Sequence, residues 1–343
     1  MRKEFGRILL FVLLAVGAPV AARAQLSVAV GGQGITAYLP LTLADRLGYF
    51  TAAGVSVSIH DVVNGTRMAE ALVGGSAEIG FGSYEHVLHL RPKGLDLICI
   101  MLLNHTYGAV LALTKERARL YRGPQDLKGL SIGVIAPGSS MDVALQILLA
   151  KGGLRGADVS SIAVGTGAAA IAAMKSGRLD GIVHTDPVIA RLVQDGDVVP
   201  VVDTRTEDGI NYLYGGAFAG SAVLSTEALV KAKPEAVQAF ITAVVRATRF
   251  LKHAPIDQVM AQVPPNFYGQ DKEMYQAKLE YDRRTAGVYT KDGTITRDAA
   301  RATLYALGNY DPVLKGKEGE FDLAASYDNR FVRKANGTLR GDD

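Results

Sequence analysis

From Leu26 onward, short runs of aliphatic and β-branched residues alternate with stretches whose apolar positions recur at helical spacing. A buried strand reads as a compact apolar run between turn residues, and an amphipathic helix as a 3.6-residue period. The pattern predicts strands at Leu26–Val30, Val55–Ile59, Glu78–Phe81, Leu97–Leu103 and Ala109–Thr114. Helices are expected at Ala37–Leu47, Arg67–Val73 and Glu85–Arg91, with Thr66 as a cap and Gly74-Gly75 as a stop. Such alternation builds parallel sheets covered by helices.

A second unit repeats the pattern. Pro124–Gly129 leads into strand Ser131–Ile135, followed by helix Met141–Lys151, strand Ile162–Val164 and helix Ala168–Ser176. Strand Gly181–His184, helix Pro187–Gln194 and strand Val198–Val202 complete it. The chain turns near Tyr214-Gly215-Gly216-Ala217 and returns as a strand at Ala219–Leu224. It is then mostly helical to Leu307, with breaks at Pro234, Pro255 and Pro264-Pro265. Gly65-Thr66-Arg67 through Gly82-Ser83-Tyr84 aligns at constant offset with Gly167-Ala168-Ala169 through His184-Thr185-Asp186. This echo predicts two related lobes, each offering a helix N-terminus and a strand-end loop. Ligands of open α/β sheets sit beyond the carboxyl ends of the strands, so two such edges facing each other make a cleft.

The amino-terminal segment changes the picture of where the chain works. Arg2, Lys3 and Arg7 precede an apolar run, Ile8–Val20, and then Ala22-Arg23-Ala24. That order is a secretory signal peptide, with cleavage expected after Ala24. The run is shorter than the roughly 20 apolar residues a membrane span needs. Arg2, Lys3, Arg7 and Arg23 against Glu4 account for the whole net charge of +3. The rest is near neutral and has no basic patch, which argues against nucleic acid or anionic membrane as partners. Cys99 is the single cysteine and lies in an apolar run, so it reads as a core thiol.

Candidate chemistry gathers at the strand-to-helix junctions. Gly32–Ala37 fits G-x-G-x-x-A, and Asp61 ends the second strand, as in a dinucleotide site. Against that, Tyr38 and Pro40 crowd the helix start and no proton-transfer residue follows. The same glycines can bring backbone N–H groups at Gln33 and Gly34 to another ligand. His86 and His89 lack the H-E-x-x-H order of a zinc site and read as an ordinary helix face, so no metal is expected. Gly138-Ser139-Ser140 is not a nucleophile elbow; Ser139 or Ser140 is expected to cap a helix and leave N–H groups for a ligand. The expected cleft residues are Gln33, Gly34, Tyr38, Gly65, Thr66, Ser83, Tyr84, Asn104, His105, Ser139, Ser140, Gly167, His184, Thr185 and Asp186. Tyr38 and Tyr84 would offer aromatic faces, and His105 and His184 neutral imidazoles, although a structural role fits either histidine equally well. No cofactor and no catalytic residue is expected.

Tyr38-Leu39-Pro40-Leu41-Thr42-Leu43-Ala44, Leu47-Gly48-Tyr49-Phe50 and Ala53-Gly54-Val55-Ser56-Val57 come in order along the chain. Gly74–Gly80, Asp126–Gly133, Ser176–Gly181 and Tyr327–Val332 follow them. Together these motifs resemble the substrate-binding proteins of sulfonate, nitrate and taurine importers, the NMT1/THI5-like group. The resemblance implies an α/β, two-lobed type II periplasmic-binding-protein fold with its ligand cleft between the lobes. Residues 25–115 and 217–343 would form one lobe and 116–216 the other, after a signal peptide at 1–24. It further implies a periplasmic monomer that passes a small solute to an ABC permease and its ATPase. The rim suggests a small organic anion, such as a sulfonate or carboxylate, held mostly by neutral donors. A related branch makes a thiamin pyrimidine as an enzyme and uses a cysteine-rich motif, which Cys99 alone does not supply; no enzymatic activity is expected. The alternatives are an exported NAD-dependent oxidoreductase using residues 32–37, and a ligand-sensing subunit docked on a membrane receptor.

Overall fold

The computed structural model describes residues 24–62, 64–269, 271–284, 288–311, 313–316 and 319–339. The expected signal peptide, apart from Ala24, lies outside them. The strands of the first sheet are β1 (Ala24–Val30), β2 (Val55–Asp61), β3 (Ile79–Ser83), β4 (Leu97–Leu102) and β10 (Ser221–Thr226). Their order is β2-β1-β3-β10-β4. The second sheet holds β5 (Val110–Thr114), β6 (Ser131–Val134), β7 (Ser160–Ala163), β8 (Gly181–His184) and β9 (Val198–Asp203), in the order β7-β6-β8-β5-β9.

The two sheets have the same plan, and both are mixed rather than wholly parallel. β1 pairs in parallel with β2 and β3, and β6 with β7 and β8. β10 and β5 run antiparallel to both of their neighbours. These two strands enter their sheets by crossing from the other lobe. They lack the helical crossover that makes consecutive strands parallel. Sequence reading left Val110–Thr114 with the first lobe, as far as residue 115. Its pairing with β8 and β9 puts it in the second sheet, so the chain crosses over within 103–109 and returns within 215–220. An apolar run does not disclose its partner.

The internal echo is present in three dimensions. Helices Gly65–Val73 and Gly167–Lys175 start at the same offset that separates Ile79 of β3 from Gly181 of β8, and those strands hold equivalent places in their sheets. Local capping differs from expectation in one respect. Asn64, not Thr66, caps the first of these helices, its side-chain oxygen accepting from the Arg67 N–H at 3.0 Å. This leaves the Thr66 hydroxyl free to reach elsewhere. Gly80 and Gly82 on β3 sit under Met68 of the same helix, where any side chain would collide with it. Helix Glu207–Tyr214 was not expected; Thr206 caps it and Gly215 ends it in a left-handed conformation.

Three cores organise the described residues. In the first lobe, helix Pro234–His253 buries Phe240, Ile241 and Val244 against Leu41, Phe81 and Ile100. A smaller one, within the second lobe, gathers Ala170, Ile182 and Leu192, and the third is continuous between lobes, linking Leu88 and Phe218 with Ile132 and Leu145. Helix Arg297–Gly308 adds Ala299 and Leu304 to it and touches helices from both lobes. At the crossings Tyr107 meets Phe218 edge-on at 4.9 Å, and Phe218 stacks on Tyr214 at 3.9 Å.

Candidate functional site

The loops that follow β3 and β6 meet across a seam between the lobes. Ser139 caps helix Ser140–Lys151: its Oγ accepts from the Asp142 N–H and from the Ala136 N–H. Capping fixes Ser140 on the first turn, where its hydroxyl lies 2.7 Å from Ser83 Oγ and 2.6 Å from Glu85 Oε1. Glu85 is fully buried, and its other oxygen accepts from the Tyr107 hydroxyl at 2.5 Å. Burial, and then the charge of Glu85, push the Tyr107 phenol far above its ordinary range. Nearby, Thr66 Oγ1 donates to the Pro137 carbonyl at 3.4 Å, a second contact across the seam.

A cavity of about 500 Å³ opens on this side, with Thr66 and His86 on the first lobe and Gly138, Asp142 and Gln146 on the second. Sequence reading took His86 for an ordinary helix face. Its side chain is instead 7% exposed, and its Nε2 has no hydrogen-bond partner among the described residues. That nitrogen lies 3.8 Å from Glu85 Oε1, while a Cβ on Gly65 would approach it to 2.6 Å. Burial disfavours the charged imidazole, with Glu85 partly opposing. His89 pairs with Asp311 at 3.0 Å.

Near the crossings a smaller cavity, about 30 Å³, is bounded by Thr36, Asn104, Thr106, Thr185 and Asp186. Asn104 and Thr185 are buried, and Asn104 Oδ1 and Thr185 Oγ1 lack hydrogen-bond partners among the described residues. An ionic clasp lies beside them. Arg205 pairs with Asp186 at 2.9 Å and with Asp203 at 2.6 Å. Lys278 of the first lobe lies 3.6 Å from Asp186 and pairs with Asp282 on its own helix. Further out, Arg191 reaches across to Asp271 at 2.6 Å.

Ser83, Thr66, Gly65, Ser140, Asn104, Thr185 and Asp186 therefore lie at the seam or its cavities. Tyr38 is buried beneath, edge-on to Phe81, with its hydroxyl directed at Ser83 and Ser221. Other expected residues lie elsewhere. Tyr84 points into the core, its hydroxyl 2.5 Å from Ser326 Oγ. His184 is structural: Nδ1 accepts from the Thr185 N–H at 2.8 Å and Nε2 faces the Gly165 carbonyl at 3.1 Å. His105 is half-buried with Asp292 as its neighbouring charge, and Gly167 is exposed. Gly34 packs against Phe267. Gln33 turns its side-chain amide to Thr42.

The dinucleotide pattern is occupied from within. Asp61 accepts from the Gly32 N–H and the Gln33 N–H, each at 3.1 Å, so the donors that would hold a pyrophosphate already bind a carboxylate. Glu85, Tyr107, Arg205 and Lys278 escaped sequence reading. Glu85 is one of several acids at helix starts, and Lys278 with Asp282 has the i,i+4 spacing common on solvated helix faces, so neither stands out in the sequence. Among the described residues no group of three or more His, Cys, Asp or Glu suits a metal ion, and no helix is long and apolar enough to cross a membrane.

Two mixed sheets of one plan, each with the first strand after a crossing inserted antiparallel, and with strand ends meeting across a seam, define a protein of the periplasmic-binding-protein fold. The chain belongs to the NMT1/THI5-like family, whose profile matches residues 35–257. A solved protein of Bordetella bronchiseptica RB50 is 36% identical, with a TM-score of 0.86 over 92% of this chain and 98% of its own. The periplasmic nitrate-binding protein NrtA of Synechocystis PCC 6803 is 15% identical, with a TM-score of 0.71 over 93% and 90%, a likeness of fold alone. A curated 4-amino-5-hydroxymethyl-2-methylpyrimidine phosphate synthase of Saccharomyces cerevisiae is 23% identical over 225 residues, and the chain spans 64% of that relative's length.

Proposed function

We propose that this is a secreted solute-binding protein that captures a small molecule between its lobes in the periplasm and delivers it to an ABC permease and its ATPase. The observation that carries this reading is the pair of cross-lobe contacts, Thr66 to Pro137 and Ser140 to Ser83 and Glu85, beside a cavity walled by both lobes. Groups that meet only when the lobes close make closure sensitive to what lies between them, because a ligand shifts a conformational equilibrium by its differential affinity. The signal peptide at 1–24 and a monomeric state belong to this reading. So do the lobe limits, moved so that β5 falls with the second lobe. Synthesis of a pyrimidine is the competing reading, favoured by the curated relatives. Cys99 speaks against it: the thiol is buried in β4, and burial pushes it up to about 12, so it is a poor nucleophile.

The test is native mass spectrometry of the purified protein for a retained solute, followed by small-angle scattering with and without it. Binding should shrink the radius of gyration. At 100 times the Kd it should add about 2.7 kcal/mol to stability. With an unfolding entropy of about 2.1 cal/mol/K per residue, that corresponds to a rise of roughly 4 °C in Tm for a chain of this length. A bound solute that is chemically converted on incubation, or one that leaves the radius of gyration unchanged, would overturn the reading.

A further inference from the structure

The charge of the seam bears on what the cleft can hold. Glu85 is fully buried, yet no Lys or Arg pairs with it among the described residues; its partners are two hydroxyls, Ser140 from the opposite lobe and Tyr107 from a crossing. A buried carboxylate is normally matched by a cation or by several donors. Asp142, on the facing wall, is served by neutral donors only: the Gly138 N–H, the Gln146 amide and the Ser161 hydroxyl. Besides Asp142, the acids that line the cavity are already paired, Glu70 with Arg67 and Asp311 with His89. Lys93 is the remaining cation on its lining. The cavity thus carries Asp142 on one wall and His86 on the other, with the Glu85 carboxylate buried 3.8 Å behind His86 Nε2.

His86 supplies an independent sign of a ligand. Its Nε2 is buried, unpartnered among the described residues, and beside Glu85. A buried nitrogen without a hydrogen bond is costly unless something fills that valence. Gly65 leaves room for the ring, since a Cβ there would press on Nε2.

We propose that His86 and Asp142, with Glu85 buried behind His86, form the recognition pole of the cleft and that it receives a positively charged or N–H-donating nitrogen group, an amine or amidinium, rather than an anion. Nε2 of neutral His86 accepts one N–H of the ligand, Asp142 on the facing wall accepts a second, and the Glu85 carboxylate behind His86 favours the positive charge. An organic anion, the expectation from the rim residues alone, would meet the Asp142 carboxylate and lie near the buried Glu85, neither of which pairs with a Lys or Arg among the described residues. This inference rests on the solute-binding reading and adds the chemical class of the solute.

Thermal-shift and calorimetric titrations with matched probes test it. Benzamidine and a panel of primary amines are compared at equal concentration with benzoate, benzenesulfonate and a panel of aliphatic carboxylates and sulfonates. At least one nitrogen cation should bind the wild-type protein and the anions should not. Asp142→Asn should weaken that binding by about tenfold or more, the worth of a charge-assisted hydrogen bond. The wild-type comparison is decisive even if the variant folds poorly. Binding of carboxylates or sulfonates with no nitrogen cation bound would overturn the ligand class and leave solute binding intact. No binder in either panel would overturn this inference; if native mass spectrometry also finds no retained solute, the functional reading falls with it.

Discussion

Gly220, on the returning crossing, lies flat against the backbone of Thr106 on the outgoing one, with no room for a side chain between them. The Gly220 N–H stitches the two crossings there by donating to the Asn104 carbonyl, while Thr106 Oγ1 lies 3.0 Å from Thr204 Oγ1, just past β9. Gly220→Ala should force them apart and lower stability by about 1–3 kcal/mol, the usual effect of overpacking. Urea unfolding measures this; an unchanged midpoint would show that the crossings separate freely.

Ser140→Ala removes the hydroxyl shared by Ser83 and Glu85. A buried group that loses a partner typically costs about 1–3 kcal/mol. Because Ser140 and Glu85 sit on opposite lobes, the loss falls on the closed arrangement. The variant should show a larger radius of gyration than wild type without ligand, and bind its solute more weakly with an unchanged fold by circular dichroism.

Asp61→Ala should destabilise the loop after β1 by about 1 kcal/mol, since two N–H groups lose a charged acceptor. NAD should give no thermal shift with the wild-type protein. A clear shift would restore the dinucleotide reading of residues 32–37.

Asp203 should make stability fall in acid. Burial alone raises its carboxyl, but hydrogen bonds and charge from Arg205 outweigh burial and hold it below the ordinary value. A carboxyl lowered in the folded state contributes stability that is present above its unfolded pKa, about 3.9, and is lost as pH falls through the folded value. The urea midpoint of wild type should therefore drop as pH is taken below about 4. Asp203→Asn should be less stable at neutral pH and show a shallower drop. An equally steep drop in the variant assigns the acid sensitivity to other carboxyls.

Fold and site were not equally readable. The strands and helices follow from local periodicity, and the echo between 65–84 and 167–186 gave two lobes because both copies are contiguous in sequence. The sheet of β5 was not readable, because a fully apolar strand carries no mark of which neighbours it pairs with. Junction residues such as Ser83 and Ser140 were found because capping chemistry marks helix starts. Tyr84 and His184 share those junctions but turn inward to Ser326 and Gly165, a choice set by the direction of each side chain in its strand or turn. Glu85 and Lys278 act through partners far away in sequence, Ser140 and Asp186, which no local pattern records.

The position of β10 between β3 and β4 also sets an order of assembly. β3 and β4 are fully buried strands, and each needs β10 on one side, yet β10 is synthesised after the whole second sheet. The second sheet uses strands from Val110 to Asp203 without interruption and can finish on its own. As the chain emerges from a ribosome or a translocation channel, the half that starts first must wait, with two apolar edges unpaired, for the half that starts second. Pulsed hydrogen exchange during refolding should find β6 and β8 protected before β3 and β4. In the interval, β3 and β4 are the segments exposed to aggregation or chaperone capture.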